Sequence, residues 1–319
     1  MIAVGLLIYH DHCVYPRIEI HQLVWGVMAN VIIGAVITGI LTGGVYALMS
    51  SGLTLIFGVM EIINIAQGAL VILGAYLSYW LQANYHIDIL VGLLITMPIM
   101  FFLGLFIEWA FIRPLKINRT MLSILVTFAI AMIIEGVLTN RVGANYVELN
   151  AWYVNASFKI GNFYLPYIYV FGFLLSVFLL SCLYLLLYRT KFGYSLRASM
   201  QNRTAAELIG IDIERVSAIT FGIGVALAAA GGVAFGATSL FNPASHYDLI
   251  SRLLVIIVLG GLGSLRGALI ASVAMLVIGD VTAVLWSPVW SSTVFFIILV
   301  AVLVIRPQGL FGQPEGRKQ

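Results

Sequence analysis

The residues of this chain best placed to do chemistry lie in one polar island, Arg189 to Arg215, which reads RTKFGYSLRASMQNRTAAELIGIDIER inside an otherwise apolar sequence. Leu196, Met200, Thr204, Leu208 and Ile211 recur about every four residues, so on a helix they form one largely apolar stripe, with Arg197, Asn202, Arg203 and Glu207 elsewhere around it. Thr204 and Glu207 have the spacing of a capping box, Gly210 is placed to end the helix, and Asp212 to cap the next one. The chemistry this offers is recognition. Such a helix either rests on lipid headgroups or is received in the groove of a cytoplasmic partner.

A second group is Asn64 and Gln67, three residues apart and so on one face of a helix, with Gly68 beside them. Amides in an apolar surrounding need a partner, water or a solute. Glu61, Glu135 and Asp280 also lie within or at the edge of apolar runs, where a carboxylate costs about 2.5–3.5 kcal/mol on insertion scales. Glu135 and Asp280 read as outward-end residues or path residues, and Glu108 as a structural partner of Arg113. The cluster His10-Asp11-His12-Cys13 has no second ligand set at useful spacing, so no metal site is expected. Cys13 and Cys182 stand alone, which excludes a disulfide framework. The sequence has no G-x-x-x-x-G-K-[ST] phosphate loop, no G-x-S-x-G elbow and no H-E-x-x-H helix. No catalytic residue is expected, and no nucleotide cofactor held by this chain.

The elements that must position these groups are membrane helices. Of the 319 residues 62% are hydrophobic and 9% charged, against roughly 25% charged in a soluble domain. The stretches 24–60, 89–107, 161–188, 216–247 and 281–305 mostly reach or pass the ~20 residues that cross a bilayer core. With the shorter runs 62–85, 120–138, 253–263 and 267–285, the reading is an all-α polytopic membrane protein of about eight to ten helical segments. The first stretch is long enough that a break is expected at Gly43-Gly44 or at Ser50-Ser51-Gly52. The segment after Arg252 is short enough for a half-helix, a feature that in transporters sits beside the substrate path. Glycines at 34, 39, 43 and 44, and from 222 to 236, suit close helix packing, a hinge, or both.

Basic residues set the orientation. They gather in Arg113 to Arg119, in the polar island, and in a tail carrying Arg306, Arg317 and Lys318, and these three places should face the cytoplasm. The loops 140–166 and 240–251 are poor in Lys and Arg and should be external. The net charge of +3 is thus a topology signal and points to no nucleic-acid partner. Residues 1–22 read as a lead-in without a cleavable signal, 23–312 as the membrane domain, and 313–319 as a cytoplasmic tail.

Five segments together carry a family resemblance: TAAELIG at 204–210, YALMSSGLTLIFGVMEIINIAQGALVILGAYL at 46–77, IEWAFIRPLK at 107–116, VLGGLGSLRGALI at 258–270 and IRPQGLFG at 305–312. They are similar to segments of the branched-chain amino-acid ABC importer permeases of bacteria. The resemblance implies a permease subunit in the bacterial inner membrane, paired with a homologous permease, two cytoplasmic ATPase subunits that bind the ATP, and a periplasmic solute-binding protein. It implies ATPase coupling through Arg197, Gln201, Asn202, Ala205, Ala206, Glu207 and Gly210, and a substrate path near Asn64, Gln67 and Gly68. The chain departs from the family where N-F-A-H-G-E is common, having Asn64-Ile65-Ala66-Gln67-Gly68-Ala69. Branched-chain or related small amino acids are the implied solutes, with urea or short amides as the alternative. A stand-alone secondary transporter, coupled through Glu135 and Asp280, is the remaining rival.

Overall fold

The computed structural model describes residues 17–115, 118–150, 157–160 and 163–312. The cluster at His10 to Cys13 and residues 313–319 of the tail lie outside them. The helices in chain order are α1 (Arg17–Met60), α2 (Gln67–Tyr85), α3 (Ile89–Ile107, continued by a π turn Glu108–Ile112), α4 (Arg119–Val142), α5 (Tyr167–Arg189), α6 (Lys191–Gln201), α7 (Arg203–Leu208), α8 (Ile213–Thr238), α9 (His246–Gly260), α10 (Leu265–Leu285) and α11 (Pro288–Ile305). Among the described residues, eight helical segments are long and apolar enough to cross a membrane. α2, with 19 residues or about 28 Å, is a further helix of nearly spanning length. The architecture is all-α, with a short antiparallel hairpin, β1 (Ser157–Ile160) and β2 (Phe163–Pro166), standing before α5. Its sequence signal was Gly161-Asn162 between two short runs rich in aromatic and aliphatic residues.

The expected break in the first stretch does not occur. α1 runs for 44 residues, roughly 66 Å, through both Gly43-Gly44 and Ser50-Ser51-Gly52. The serines do not loosen the ladder because their hydroxyls donate back into it: Ser50 Oγ to the Ala47 carbonyl at 3.1 Å and Ser51 Oγ to that of Leu48 at 2.7 Å. The glycines serve close approach instead. A Cβ at position 43 would stand 2.8 Å from the Cα of Val273 on α10, and one at 39 would stand 2.6 Å from the Cα of Val277. α1 is thus a single pass, and the chain breaks after it.

From Glu61 to Ala66 the backbone is not helical, and Glu61 itself has φ of 54°. This segment is held by α4, where Thr120 Oγ1 donates to the Glu61 carbonyl at 3.2 Å and Thr127 Oγ1 accepts from the Ile65 N–H at 3.1 Å. Thr127 lies two turns inside α4, so α2 begins at depth, alongside the protein interior. Non-helical backbone is tolerated there only because protein groups satisfy it. α9, the short helix expected after Arg252, has 15 residues or about 22 Å and begins earlier than expected, at His246.

α8 is the axle of this bundle, with buried residues along almost its whole length. A Cβ at Gly52 of α1 would meet the Gly224 carbonyl oxygen of α8 at 2.5 Å, one at Gly74 of α2 would meet the Cα of Ala229 at 2.5 Å, and one at Gly232 of α8 would meet the Val71 carbonyl oxygen at 2.0 Å. Lipid gives helices no hydrophobic reason to associate, so contacts of this closeness supply the van der Waals attraction that does. Gly232→Ala should therefore force α8 off α2 and destabilise the protein by about 1–3 kcal/mol. Gly136→Ala, whose Cβ meets nothing within 4 Å, should be neutral or slightly stabilising. Thermal melts of the two variants in detergent check this, with a lowered Tm expected for the first alone.

Candidate functional site

The polar island folds as two short helices, α6 and α7, and its placement follows from capping and glycine packing. Thr190 Oγ1 accepts from the Gly193 N–H at 3.0 Å and starts α6. Gly193 sits where a Cβ would stand 2.3 Å from the carbonyl oxygens of Leu186 and Leu187, so α6 turns tightly under the end of α5. Leu196 is buried, the Met200 methyl lies against Gly58 at the end of α1, and Arg197 is sandwiched with its guanidinium 4.5 Å from the Tyr188 ring centroid and 4.9 Å from that of Tyr194. One half of the expected apolar stripe thus faces the bundle.

α7 differs from the sequence reading in its cap. Asn202, not Thr204, is the N-cap: its Oδ1 accepts from the Ala205 N–H at 3.0 Å, and Thr204 is exposed within the helix. Glu207 pairs with Arg203 at 3.6 Å instead of closing a capping box. Gly210 ends the helix in the left-handed region at φ of 88°, and Asp212 caps α8 by accepting from the Arg215 N–H at 3.1 Å, both as expected. Gln201, Asn202, Ala205, Glu207 and Gly210 are exposed, whereas Ala206 is buried beneath α7. The other half of the stripe turns outward: Leu208 is 83% exposed and its neighbour Ile209 76%. Ile209 was not singled out in the sequence; its signal was an apolar pair placed just ahead of the terminating glycine. The same stretch carries the ion pairs Arg203–Glu207 and Asp212–Arg215, and Glu214, just after it, pairs with Arg113.

That ion pair corrects the expected partnership of Arg113 with Glu108. Glu108 is buried in the π turn, near enough to Arg119 and Arg113 to feel both, but Arg113 reaches across to the first turn of α8.

Asn64, Gln67 and Gly68 come together at the start of α2, and all three are buried. Asn64 Nδ2 donates to Gln67 Oε1 at 3.1 Å, and Gln67 Nε2 donates to the Gly224 carbonyl at 3.3 Å and, at 3.5 Å, to that of Met49. The amides therefore tie α1, α2 and α8 together. Asn64 Oδ1 remains without a hydrogen-bond partner among the described residues. Gly68 admits α9: a Cβ there would lie 2.5 Å from the His246 carbonyl oxygen.

At the opposite end of α8 from the polar island, a cavity of about 220 Å³ opens between α1, α5, α8, α9 and α10. Arg252 and Asp280 both line it, together with hydroxyl side chains and apolar ones. Glu135 lies apart, accepting from Tyr247 Oη at 2.9 Å with His246 Nε2 at 3.9 Å.

Spanning helices that enclose a polar cavity at one end and carry a protruding polar loop at the other are built as a membrane permease is. Over residues 26–303 the chain matches the family described as the permease component of the branched-chain amino acid transport system, and it belongs to that family. It is a multi-pass inner-membrane transport subunit. It is 27% identical over 294 residues to the high-affinity branched-chain amino acid transport system permease protein LivH of Escherichia coli K12, covering 88% of this chain and 95% of the relative. The corresponding protein BraD of Pseudomonas aeruginosa is 25% identical over 295 residues, covering 88% and 96%. A probable branched-chain amino acid transport permease protein LivH of Methanocaldococcus jannaschii is 30% identical over 292 residues, covering 86% and 90%. No solved structure matches the chain.

The cap assignment is directly testable. Asn202→Ala should cost α7 about 1 kcal/mol, whereas Thr204→Ala should cost little. Hydrogen exchange at the Ala205 amide should then quicken several-fold in the first variant and stay near the parent rate in the second.

Proposed function

We propose that the chain is a permease subunit of a binding-protein-dependent ABC importer and that α7 is the helix on which an ATPase subunit docks. The observation that carries this is the exposed Leu208-Ile209 pair beside the charged side chains of Arg203 and Glu207. Burying each side chain against a protein groove is worth about 1.5–3 kcal/mol, and the surrounding charges would orient the partner. The flanking groups in the docking surface are Arg197, Gln201, Asn202, Ala205, Glu207 and Gly210, with Ala206 supporting the helix from beneath. Two cytoplasmic ATPase subunits, a homologous permease and a periplasmic solute-binding protein complete the assembly in this reading. ATP is bound and hydrolysed by the ATPase subunits, and this chain holds no cofactor. The proposed solutes are branched-chain or related small amino acids, the class named in its relatives.

In the same reading, the interrupted start of α2 contributes to the translocation path. The unbonded Asn64 Oδ1 beside a helix that begins at membrane depth supports this, because a buried acceptor is normally satisfied and discontinuous helices flank transporter sites.

Two variants test the two parts. Leu208→Asp with Ile209→Asp should abolish solute uptake and co-purification of the ATPase subunits, while the permease inserts and melts as the parent does; undiminished uptake would sink the docking assignment. Gln67→Leu, which strips Asn64 of its amide partner, should raise the apparent KM or alter solute selectivity in a reconstituted importer that keeps its basal ATP hydrolysis. Normal transport by that variant, or loss only through disassembly, would leave Gln67 as a packing residue.

A further inference from the structure

We propose that the cavity at the outer end of α8 binds the charged head of a free amino acid, with Arg252 receiving the carboxylate and Asp280 the ammonium. The proposal rests on the amino-acid importer reading above and adds to it a site and a division of roles.

The two groups come from different helices, Arg252 from α9 and Asp280 from α10, and face one cavity. They lie close enough for the Arg252 charge to act on Asp280, yet no ion pair within 4 Å joins them. Opposite charges beside an apolar environment ordinarily close on each other, because each pays a desolvation penalty that pairing offsets. Here Arg252 is restrained from closing. Its Nε donates to Asp248 at 2.9 Å, its Nη2 to Ser292 Oγ at 3.3 Å, and its guanidinium lies 5.4 Å from the centroid of the Phe295 ring. Its Nη1 donors remain unengaged among the described residues. Asp280 has no hydrogen bond or ion pair there at all. The site is therefore a held donor, Arg252, and an unpaired acceptor, Asp280, facing one cavity.

A zwitterion fills that cavity with the matching pair of charges. The unengaged Nη1 donors of the guanidinium suit a carboxylate, and a carboxylate accepts well from an ammonium. The volume, about seven waters' worth at ~30 Å³ each, suits one small amino acid. Leu41 and Leu276 offer apolar wall for an aliphatic side chain, while the hydroxyls of Tyr46 and Thr238 offer polar wall near the head. A neutral amide such as urea would leave the Asp280 carboxylate without a counter-charge, since Arg252 already pairs with Asp248, and this disfavours the alternative solute class at this site.

The test uses the assembled importer in proteoliposomes. Thr42, which also lines the cavity, is replaced by Cys in a chain with Cys13→Ser and Cys182→Ser, and its rate of modification by a methanethiosulfonate reagent is measured. Millimolar leucine should slow modification at least fivefold. 4-Methylpentanoate, which lacks the ammonium, and isopentylamine, which lacks the carboxylate, should not. No protection by leucine, or equal protection by all three, would overturn the site. In parallel, Arg252→Gln and Asp280→Asn should each cut leucine uptake at least tenfold with ATP hydrolysis by the complex retained, and uptake within twofold of the parent in both would overturn it as well. Where a charge-removing variant does not assemble, the protection pattern decides. A parent importer that accumulates urea or short amides and no amino acid would sink the solute reading; one that accumulates leucine with Thr42→Cys unprotected would sink this site alone.

Discussion

Backbone-to-backbone contact along α8 is the constraint on which the rest of the structure depends. In a bilayer the tails solvate a leucine as well as a protein interior does, so helices hold together through packing closeness and internal hydrogen bonds. Gly52 against Gly224, Gly74 against Ala229 and Gly232 against Val71 bring α1, α2 and α8 to distances that any Cβ would forbid. Once these three are fixed, the other features follow. The Gln67 amide can reach the Gly224 carbonyl only because Gly52 and Gly224 let the helices touch. The non-helical segment Glu61–Ala66 can lie at depth because α4 satisfies its backbone.

The same helix spans both candidate functional regions. α8 begins at Ile213, directly after the loop that presents Leu208 and Ile209, and ends at Thr238 on the wall of the cavity that holds Arg252 and Asp280. A rod packed this tightly transmits displacement instead of absorbing it, since close-packed interiors have low compressibility. A docking partner that moved the loop would therefore act on the cavity at the far end of α8. The ion pair between Arg113 and Glu214 links the start of α8 to the end of α3.

Much of this was legible in the sequence because it depends on local pattern. Apolar run length gave the spanning helices, and the cap at Asp212 could be read from spacing alone, while the short helix expected after Arg252 was legible in its length but not in its start at His246. The polar island stood out by composition. What could not be read depends on which helices become neighbours. Glycine and serine pairs in α1 look like weak points until Val273 and Val277 are known to pack on Gly43 and Gly39 and the serine hydroxyls to bond back into the ladder. Thr204 and Glu207 have capping-box spacing, but Asn202 sits one residue ahead of the helix with the better-placed acceptor. Arg252 and Asp280 have no sequence relation at all; only the meeting of α9 and α10 brings them to one cavity.

In the proposed importer this chain is a passage powered from outside itself. The direct test is accumulation of labelled leucine by proteoliposomes containing the lone chain under an imposed proton or sodium gradient, set beside vesicles containing the full set of partner subunits with ATP and the solute-binding protein. Concentrative uptake only in the second preparation, abolished when ATP cannot be hydrolysed, is the result this account requires. Gradient-driven accumulation by the lone chain would contradict it and make the protein a secondary transporter.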